Sequence, residues 1–139
     1  MTSPTYQQMI FVNLAVNDLD ASKKFFTELG YSINPQFSND DAASVVISDT
    51  IVAMLMTKAF YATFTKKEIA DATKTSEVLI ALSAESRAKV DELVDKALAA
   101  GGTLSGETQD HGFMYGRSFD DLDGHSWEVV WMDPAAIEG

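Results

Sequence analysis

The chain has 139 residues, of which 46% are hydrophobic and none is cysteine, so one core without disulfides is expected. Ten Lys and Arg against 21 Asp and Glu give a net charge of −11, which repels phosphate backbones and anionic lipid, so nucleic acid is an unexpected partner. Neither a membrane-spanning run nor a secretory signal is recognisable, and a cytoplasmic protein with no membrane partner is therefore expected.

The first half of the chain predicts one strand, one helix and three further strands. Val12 to Val16 is an apolar strand, and a helix follows over Ala21 to Leu29. Asp20 is the expected N-cap of that helix and Gly30 its stop. Three apolar stretches separated by polar turns then predict strands at Ile33 to Phe37, Ala43 to Ile47 and Ile51 to Thr57.

The second half repeats this order. Leu79 to Ser83 predicts a strand, Ser86 is the expected N-cap of the next helix, and Gly101 with Gly102 ends it. Strands are then predicted at Thr103 to Glu107, Phe113 to Phe119 and Ser126 to Met132. The fold class expected is therefore α+β, with two tandem βαβββ modules in a single domain: module one about 9–57, a connection over 58–76, and module two about 77–132.

Two stretches resemble a known family. Leu14 to Ser22, with Phe25 and Phe26, is similar to the first strand and helix of the vicinal oxygen chelate superfamily, which includes glyoxalase I, extradiol dioxygenases and bleomycin resistance proteins. The acidic turn and strand from Asp121 to Glu128 resemble its last turn. The resemblance covers Ile10 to about Trp131, and Asp110 to Phe119 is similar to a branch labelled predicted lactoylglutathione lyase.

The resemblance implies a half-open barrel around a cavity, in which four side chains of the enzymes hold a divalent metal. These positions align with Phe11, Leu55, Leu79 and Glu128. Three of the four side chains are hydrocarbon and cannot ligate an ion, so no metal cofactor is expected. A rebuilt site of His111, Glu128 and Asp110 is the alternative. The resemblance also implies a homodimer.

Alternation along the strands predicts which side chains face the cavity, because successive residues point to opposite faces. Met54 and Met56 are then expected in the core, as are Trp127, Val129 and Trp131. The side chains expected to face the cavity are Phe11, Asn13, Ala15, Ala53, Leu55, Thr57, Leu79, Ala81, Ser83, Ser126, Glu128 and Val130.

Each polar candidate has two interpretations. Glu128 could act as a general base, because apolar neighbours disfavour its charge, or it could be a structural carboxylate satisfied by Asn13, Tyr115 or Arg117. Arg117 could clamp an anionic ligand or form a surface ion pair. The hydroxyl of Tyr115 could reach a ligand, or the side chain could pack in the core. His111 could overhang the cavity as a proton carrier or be a solvated loop residue.

Three functions remain open at this point. The first is a metal-independent protein that binds a small molecule in an apolar cavity. The second is a lactoylglutathione lyase-like enzyme, either metal-dependent with a relocated site or a metal-free isomerase that uses Glu128 as its base. The third is a dimeric structural protein whose cavity is filled by its own side chains.

Overall fold

A computed structural model describes residues 6–136 of the chain. The chain forms two compact units, with the boundary between Ile69 and Ala70. Each unit contains one β-sheet covered by one principal α-helix. The predicted α+β class with two repeated modules is thereby confirmed. Within residues 6–136, no helix is both long enough and apolar enough to cross a membrane.

Unit one follows the predicted order of strands and the first helix, with two short helical segments added. Its sheet has the strand order β1-β4-β3-β2, in which β1 and β4 are parallel and the other pairs are antiparallel. A short 3-10 turn at Pro35–Phe37 follows β2. The bounds are β1 (Ile10–Val16), α1 (Leu19–Glu28), β2 (Ser32–Asn34), β3 (Ala42–Val46), β4 (Ile51–Thr57) and α2 (Lys58–Tyr61).

Local hydrogen bonds correct two predictions in unit one. Asp18, and not Asp20, caps α1, because the Asp18 carboxylate accepts the backbone N–H of Ala21 at 3.0 Å. The strand predicted at Ile33 to Phe37 stops at Asn34, whose side-chain oxygen accepts the N–H of Gln36 and starts the 3-10 turn. A proline as the first residue of that turn removes a ladder donor, which is why the strand ends there.

The core of unit one lies between α1 and the sheet. Phe25 and Phe26 are almost fully buried, and their rings meet edge to face at 5.1 Å. The helix packs on β3 and β4, where Val45 and Leu55 are completely buried. Burying each such side chain contributes about 1.5–3 kcal/mol, so this apolar contact is the main force holding α1 on the sheet.

Unit two has the strand order β5-β9-β8-β6, and a further short strand, β7, also pairs with β8. The strand predicted at Thr103 to Glu107 ends at Leu104, and beyond it the Gly106 N–H donates to the Ser118 hydroxyl at 2.8 Å instead of joining a ladder. The bounds are β5 (Leu79–Ser83), α3 (Arg87–Ala99), β6 (Thr103–Leu104), β7 (Gln109–Asp110), β8 (Met114–Asp120), β9 (Ser126–Met132) and a 3-10 turn at Pro134–Ala136.

The core of unit two confirms the interpretation of Trp127 and Val129 as helix-covered residues. Both are buried, and the Trp127 ring stacks on Phe119 with 6.4 Å between centroids. Ser86 caps α3 as predicted, by accepting the N–H of Lys89. The helix ends before Gly101, whose φ of 113° is a conformation that glycine adopts readily.

Candidate functional site

Strand register decides which face of the unit-two sheet each candidate occupies. Ala81 pairs with Glu128, and Glu128 pairs with Ser118 on its other side. Paired residues of neighbouring strands point to the same face, so these three side chains lie together. Trp127 and Val129 point to the opposite face, which α3 covers. The predicted grouping of Glu128 with Ala81 is confirmed.

Register contradicts the predicted orientation of Leu55 in unit one. Leu55 pairs with Leu14, whereas Met54 pairs with Asn13. Leu55 therefore points with Leu14 towards α1 and is 0% exposed. The prediction that Ala53, Leu55 and Thr57 share the Phe11 face is wrong. The core position expected for Met54 is wrong as well, because that side chain is only half-buried, whereas Met56 is 5% exposed and lies in the core as predicted. Alternation was predicted correctly, but the pairing is shifted by one residue, which exchanges the two faces.

The register also identifies the residue of unit one that is equivalent to Glu128. Val52 pairs with Phe11 in unit one as Ser126 pairs with Leu79 in unit two. Two residues beyond Val52 is Met54, and two residues beyond Ser126 is Glu128. Met54, and not Leu55, is therefore the unit-one counterpart of the carboxylate.

The family's four ligand positions can now be compared with the needs of a metal. They hold Phe11, Met54, Leu79 and Glu128, which together offer one carboxylate and one thioether. Zinc and the hard divalent cations require several nitrogen or oxygen donors, or thiolates in the case of zinc. The residues present at these positions do not fit such an ion.

The rebuilt metal site suggested by the sequence is wrong, because Asp110 is engaged on the other face. Asp110 pairs with Tyr115, which lies on the α3 side of the sheet. Its carboxylate accepts two hydrogen bonds from Arg87, at 2.8 and 2.9 Å. These bonds, together with the Gly112 N–H, hold the pKa of Asp110 far below its usual value. Asp110 and Glu128 do not share a face.

Tyr115 and Arg117 also lie on the α3 side and do not satisfy Glu128. The Tyr115 hydroxyl donates to Asp91 at 2.7 Å, and the Arg117 guanidinium donates to Asp91 and Asp95 at 2.9 and 3.0 Å. The hydrogen bond from Tyr115, followed by that from Arg117, lowers the pKa of Asp91. The ion-pair interpretation of Arg117 is thus confirmed, with partners on the helix.

Arg117, Asp91 and Asp95 form an ionic layer between the sheet and α3. Arg87 also belongs to this ionic layer, and it was not identified from the sequence. Its guanidinium lies 5.0 Å from the ring centroid of Tyr115 and 5.2 Å from that of Trp131. An arginine over the faces of two aromatic rings is stabilised by cation–π attraction. Trp131 is accordingly only half-buried beneath a charged side chain, in contrast to the core position expected for it.

The remaining candidates are exposed. Phe11 and Leu79 are 57% and 60% exposed, and Asn13 is exposed as well. His111 lies in the exposed loop between β7 and β8, with its ring centroid 6.4 Å from that of Phe113. The ligand-binding roles assigned to these residues stay predictions.

A cavity of about 290 Å³ opens on the Glu128 face of unit two. Its apolar walls are Met114 and Val130, and Gly116 leaves room between them, because a Cβ at that glycine would lie 3.5 Å from Val130 Cγ2. The interpretation of a cavity filled by side chains therefore does not hold for this unit. The lining consists of Gly106, Glu107, Gln109, Met114, Gly116, Arg117, Ser118, Glu128 and Val130.

Glu128 is the central polar group of this cavity. It is half-buried, and among residues 6–136 no side chain forms a hydrogen bond or salt bridge with its carboxylate. Glu107 and Gln109 were missed by the sequence analysis. Glu107 lies in the loop that replaces the end of the predicted strand, and Gln109 lies in a short strand that was not predicted. A half-buried carboxylate with no protein donor can accept hydrogen bonds from a bound molecule.

The acidic turn before Glu128 has a structural role. The buried carboxylate of Asp121 accepts the backbone N–H groups of Asp123 and His125 and the indole N–H of Trp127, each at 3.0 Å. The His125 ring nitrogen Nδ1 lies 3.0 Å from the same carboxylate. Gly124 has a φ of 90°, and a Cβ there would meet the backbone of Ala72 at 2.9 Å. This turn is specified by its own hydrogen bonds and by close backbone packing.

Known proteins share this architecture. A hypothetical protein from S. aureus is 32% identical and has a TM-score of 0.75, with coverage of 92% of this chain and 95% of its own. A glyoxalase-related enzyme from Fulvimarina pelagi is 22% identical, with a TM-score of 0.76 and coverage of 91% and 88%. A fosfomycin resistance protein from Listeria monocytogenes, complexed with Mn(II) and sulfate, is 18% identical, with a TM-score of 0.64 and coverage of 90% of both chains.

Sequence comparison with protein families agrees with these structural similarities. No curated protein sequence matches the chain significantly. A family model does match, over residues 8–129, and its description is Glyoxalase/Bleomycin resistance protein/Dioxygenase superfamily. The lactoylglutathione lyase branch stays a prediction. With a match over most of its length, the chain belongs to the glyoxalase/bleomycin resistance protein/dioxygenase superfamily.

Proposed function

We propose that this protein binds a small organic molecule in the unit-two cavity without a metal ion. The observation that carries the proposal is the half-buried Glu128 carboxylate, which has no protein partner among residues 6–136 and borders an open hollow with apolar walls. Apolar walls with a few polar groups are the usual composition of a small-molecule site. The volume of about 290 Å³ suits a compact ligand or one end of a larger one.

The donor chemistry supports the metal-independent form of this proposal. Of the four family ligand positions, only Glu128 offers oxygen, and Met54 offers a sulfur that is a weak ligand for hard cations. The manganese complex of the Listeria protein comes from a relative only 18% identical, which establishes the fold and no more. Element analysis of purified protein is expected to find well below one divalent metal per chain. A stoichiometric metal lost in Glu128→Gln would contradict metal independence.

Ligand binding can be tested by filling the cavity. A mixed panel of small aromatic and aliphatic fragments should shift the backbone amide signals of Gly106, Gly116, Ser118 and Val130 in nitrogen-15 spectra. Gly116→Leu should abolish those shifts, because its side chain would occupy the space beside Val130. Lys96→Leu adds the same side chain on an exposed part of α3 and should leave them unchanged. Fragments that bind the Gly116→Leu variant equally well would overturn this location.

A metal-free isomerase is the second candidate function, and the same unpartnered carboxylate favours it. A carboxylate beside a bound carbon acid can remove a proton from one carbon and return it to the next, which conserves atoms and electrons. Turnover of the glutathione hemithioacetal of methylglyoxal that is lost in Glu128→Gln would support this function. Unchanged turnover in that variant would remove Glu128 from the mechanism.

A homodimer in the cytoplasm is also part of the proposal. β5 lies at the end of its sheet, where Val78 and Leu79 are more than half exposed, and a shallow hollow of about 470 Å³ lies beside it. Exposed apolar residues at a strand edge favour association with another copy. Light scattering should give twice the 15.1 kDa chain mass, and Leu79→Lys should shift the protein towards monomer. A wild-type monomer at all concentrations would contradict the dimer.

A further inference from the structure

We propose that the ligand of the unit-two cavity carries a cationic nitrogen, an ammonium or amidinium group, attached to a compact apolar group. This inference rests on the proposed function and specifies the chemical class of its ligand. The cavity borders two carboxylates, those of Glu107 and Glu128, beside the apolar side chains of Met114 and Val130. An ammonium placed at Glu128 would donate to a carboxylate that no described side chain satisfies.

The charges around the cavity select the sign of the ligand. Among the described residues that line the cavity, Arg117 is the only cationic one, and its guanidinium is bound by Asp91 and Asp95 on the α3 side. An anionic ligand would therefore meet two carboxylates with no available counter-charge. Like charges at short range repel, and burial strengthens the repulsion. The net charge of −11 adds a field that attracts cations and repels anions.

A neutral apolar ligand is disfavoured for a different reason. It would cover the half-buried Glu128 carboxylate and remove water from it without supplying a donor. Leaving a charged group both dry and unpaired is costly, so the ligand should bring its own N–H groups. Hydrogen bonds from a cationic donor to a carboxylate are the stronger kind, which makes an ammonium or amidinium the best match.

The backbone positions the second carboxylate near the first. The Ser118 hydroxyl accepts the Gly106 N–H at 2.8 Å, and Ser118 is the direct neighbour of Glu128 across the β8–β9 pair. The loop that carries Glu107 is thus tied to the strand position beside Glu128. Because Glu107 is exposed and Glu128 is half-buried, Glu128 should dominate recognition and Glu107 should contribute less.

Three aromatic probes of similar size test the inference: benzylammonium, benzyl alcohol and benzoate. Each is titrated into nitrogen-15-labelled protein, and binding is followed at the amides of Gly106, Gly116, Ser118 and Val130. Benzylammonium should bind roughly ten-fold more tightly than benzyl alcohol, and benzoate should bind most weakly. Added salt should weaken benzylammonium selectively.

Two charge-neutralising variants separate the local carboxylate from the general field. Glu128→Gln should weaken benzylammonium roughly ten-fold and leave benzyl alcohol unchanged. Glu92→Gln removes the same charge from the exposed face of α3 and should change neither affinity appreciably. If both variants weaken benzylammonium equally, the preference comes from net charge and the inference is overturned.

The remaining outcomes distinguish this inference from the proposed function. If all three probes bind the cavity with similar affinity and Glu128→Gln has no effect, the cationic ligand class is wrong, while ligand binding in the cavity stands. If benzoate binds most tightly, the proposed ligand class has the wrong sign of charge. If no probe shifts the cavity amides, the proposed binding function itself is contradicted.

Discussion

The two units pair their first and last strands in the same way but place different chemistry at equivalent positions. Met54 in unit one and Glu128 in unit two occupy the same place on the last strand, each opposite the first strand of its unit. The backbone arrangement persists whether the side chain is a thioether or a carboxylate. Ligand chemistry at this position is therefore independent of the fold, and membership of the superfamily does not by itself imply a metal site.

The sheet faces that lie beneath the helices differ in chemistry as much as the last strands do. In unit one, the face beneath α1 is apolar, with Leu14 and Leu55 buried. In unit two, part of the face beneath α3 is ionic, with Arg117 bridging Asp91 and Asp95. Apolar burial holds the first helix, whereas the second is held by both apolar burial and charged hydrogen bonds. The four predictions below test this contrast, from the largest expected effect to the smallest.

The turns that precede the last strands of the two units should differ most in their contribution to the unfolding free energy. Asp121→Ala in unit two leaves two backbone N–H groups and the Trp127 indole without their acceptor and should cost about 3–5 kcal/mol of unfolding free energy. Asp49→Ala changes an exposed residue of the matching turn in unit one and should cost less than about 0.5 kcal/mol. Urea unfolding measures both. Equal losses would contradict the anchoring role of Asp121.

Two adjacent residues of β4 should also differ in their contribution to the unfolding free energy. Leu55→Ala removes a completely buried side chain beneath α1 and should destabilise by about 3 kcal/mol, within the usual range for such a change. Met54→Ala, on the other face and only half-buried, should cost about 1 kcal/mol. A larger loss for Met54→Ala in urea unfolding would show that the register assigned to β1 and β4 is wrong.

The ionic layer of unit two should contribute modestly. Arg117→Met keeps most of the side-chain length but removes both ion pairs, and because Asp91 and Asp95 are 45% and 65% exposed the loss should be about 1 kcal/mol. The loss should shrink in high salt. Lys23→Met, which removes an exposed pair in unit one at 3.7 Å, should have no measurable effect. A salt-independent loss at Arg117 would indicate packing instead of charge.

The smallest effect is a pH dependence that arises in the acidic turn. Burial lowers the pKa of His125, but the hydrogen bond and charge of Asp121 outweigh it and raise the pKa above the ordinary value. The stabilisation is therefore complete below the unfolded pKa of about 6.5 and is lost as pH rises through the folded pKa. His125→Gln should cost more stability at about pH 5.5 than at about pH 8.5.

A matched histidine gives the control for this pH dependence. His111 lies in an exposed loop of the same unit, so His111→Gln removes a histidine at little expected cost in stability. A pH-dependent loss in His111→Gln as large as that in His125→Gln would assign the effect to general charge instead of to the Asp121 pair.

Some site residues could be predicted from the sequence because their positions follow from local rules. Glu128 falls on the last strand, and alternation places it with Ser126 and Val130, as the structure has them. Arg117 and Tyr115 could not be placed in this way. Their partner Asp91 lies 26 and 24 residues away on α3, and no local pattern relates those positions.

The cavity lining shows a second reason why some site residues could not be predicted from the sequence. Glu107 and Gln109 line the cavity where the predicted strand has ended at Leu104 and the Gly106 N–H donates to the Ser118 hydroxyl. That hydrogen bond joins residues 12 positions apart and competes with an ordinary strand ladder. Nothing in the composition of Thr103 to Glu107 indicates whether this hydrogen bond or the strand ladder forms.

The sequence by itself determined the order of the elements, the helix ends at Ser86 and Gly30, the core position of Trp127 and the strand that carries Glu128. These depend on periodicity and on side chains that bond their own neighbouring backbone, so a short window contains the information. Only the tertiary structure decided that Met54 and not Leu55 matches Glu128, and that Glu128 faces a cavity unpaired. Both depend on which residues of distant strands meet, and a shift of one residue in that pairing exchanges the two faces of a sheet.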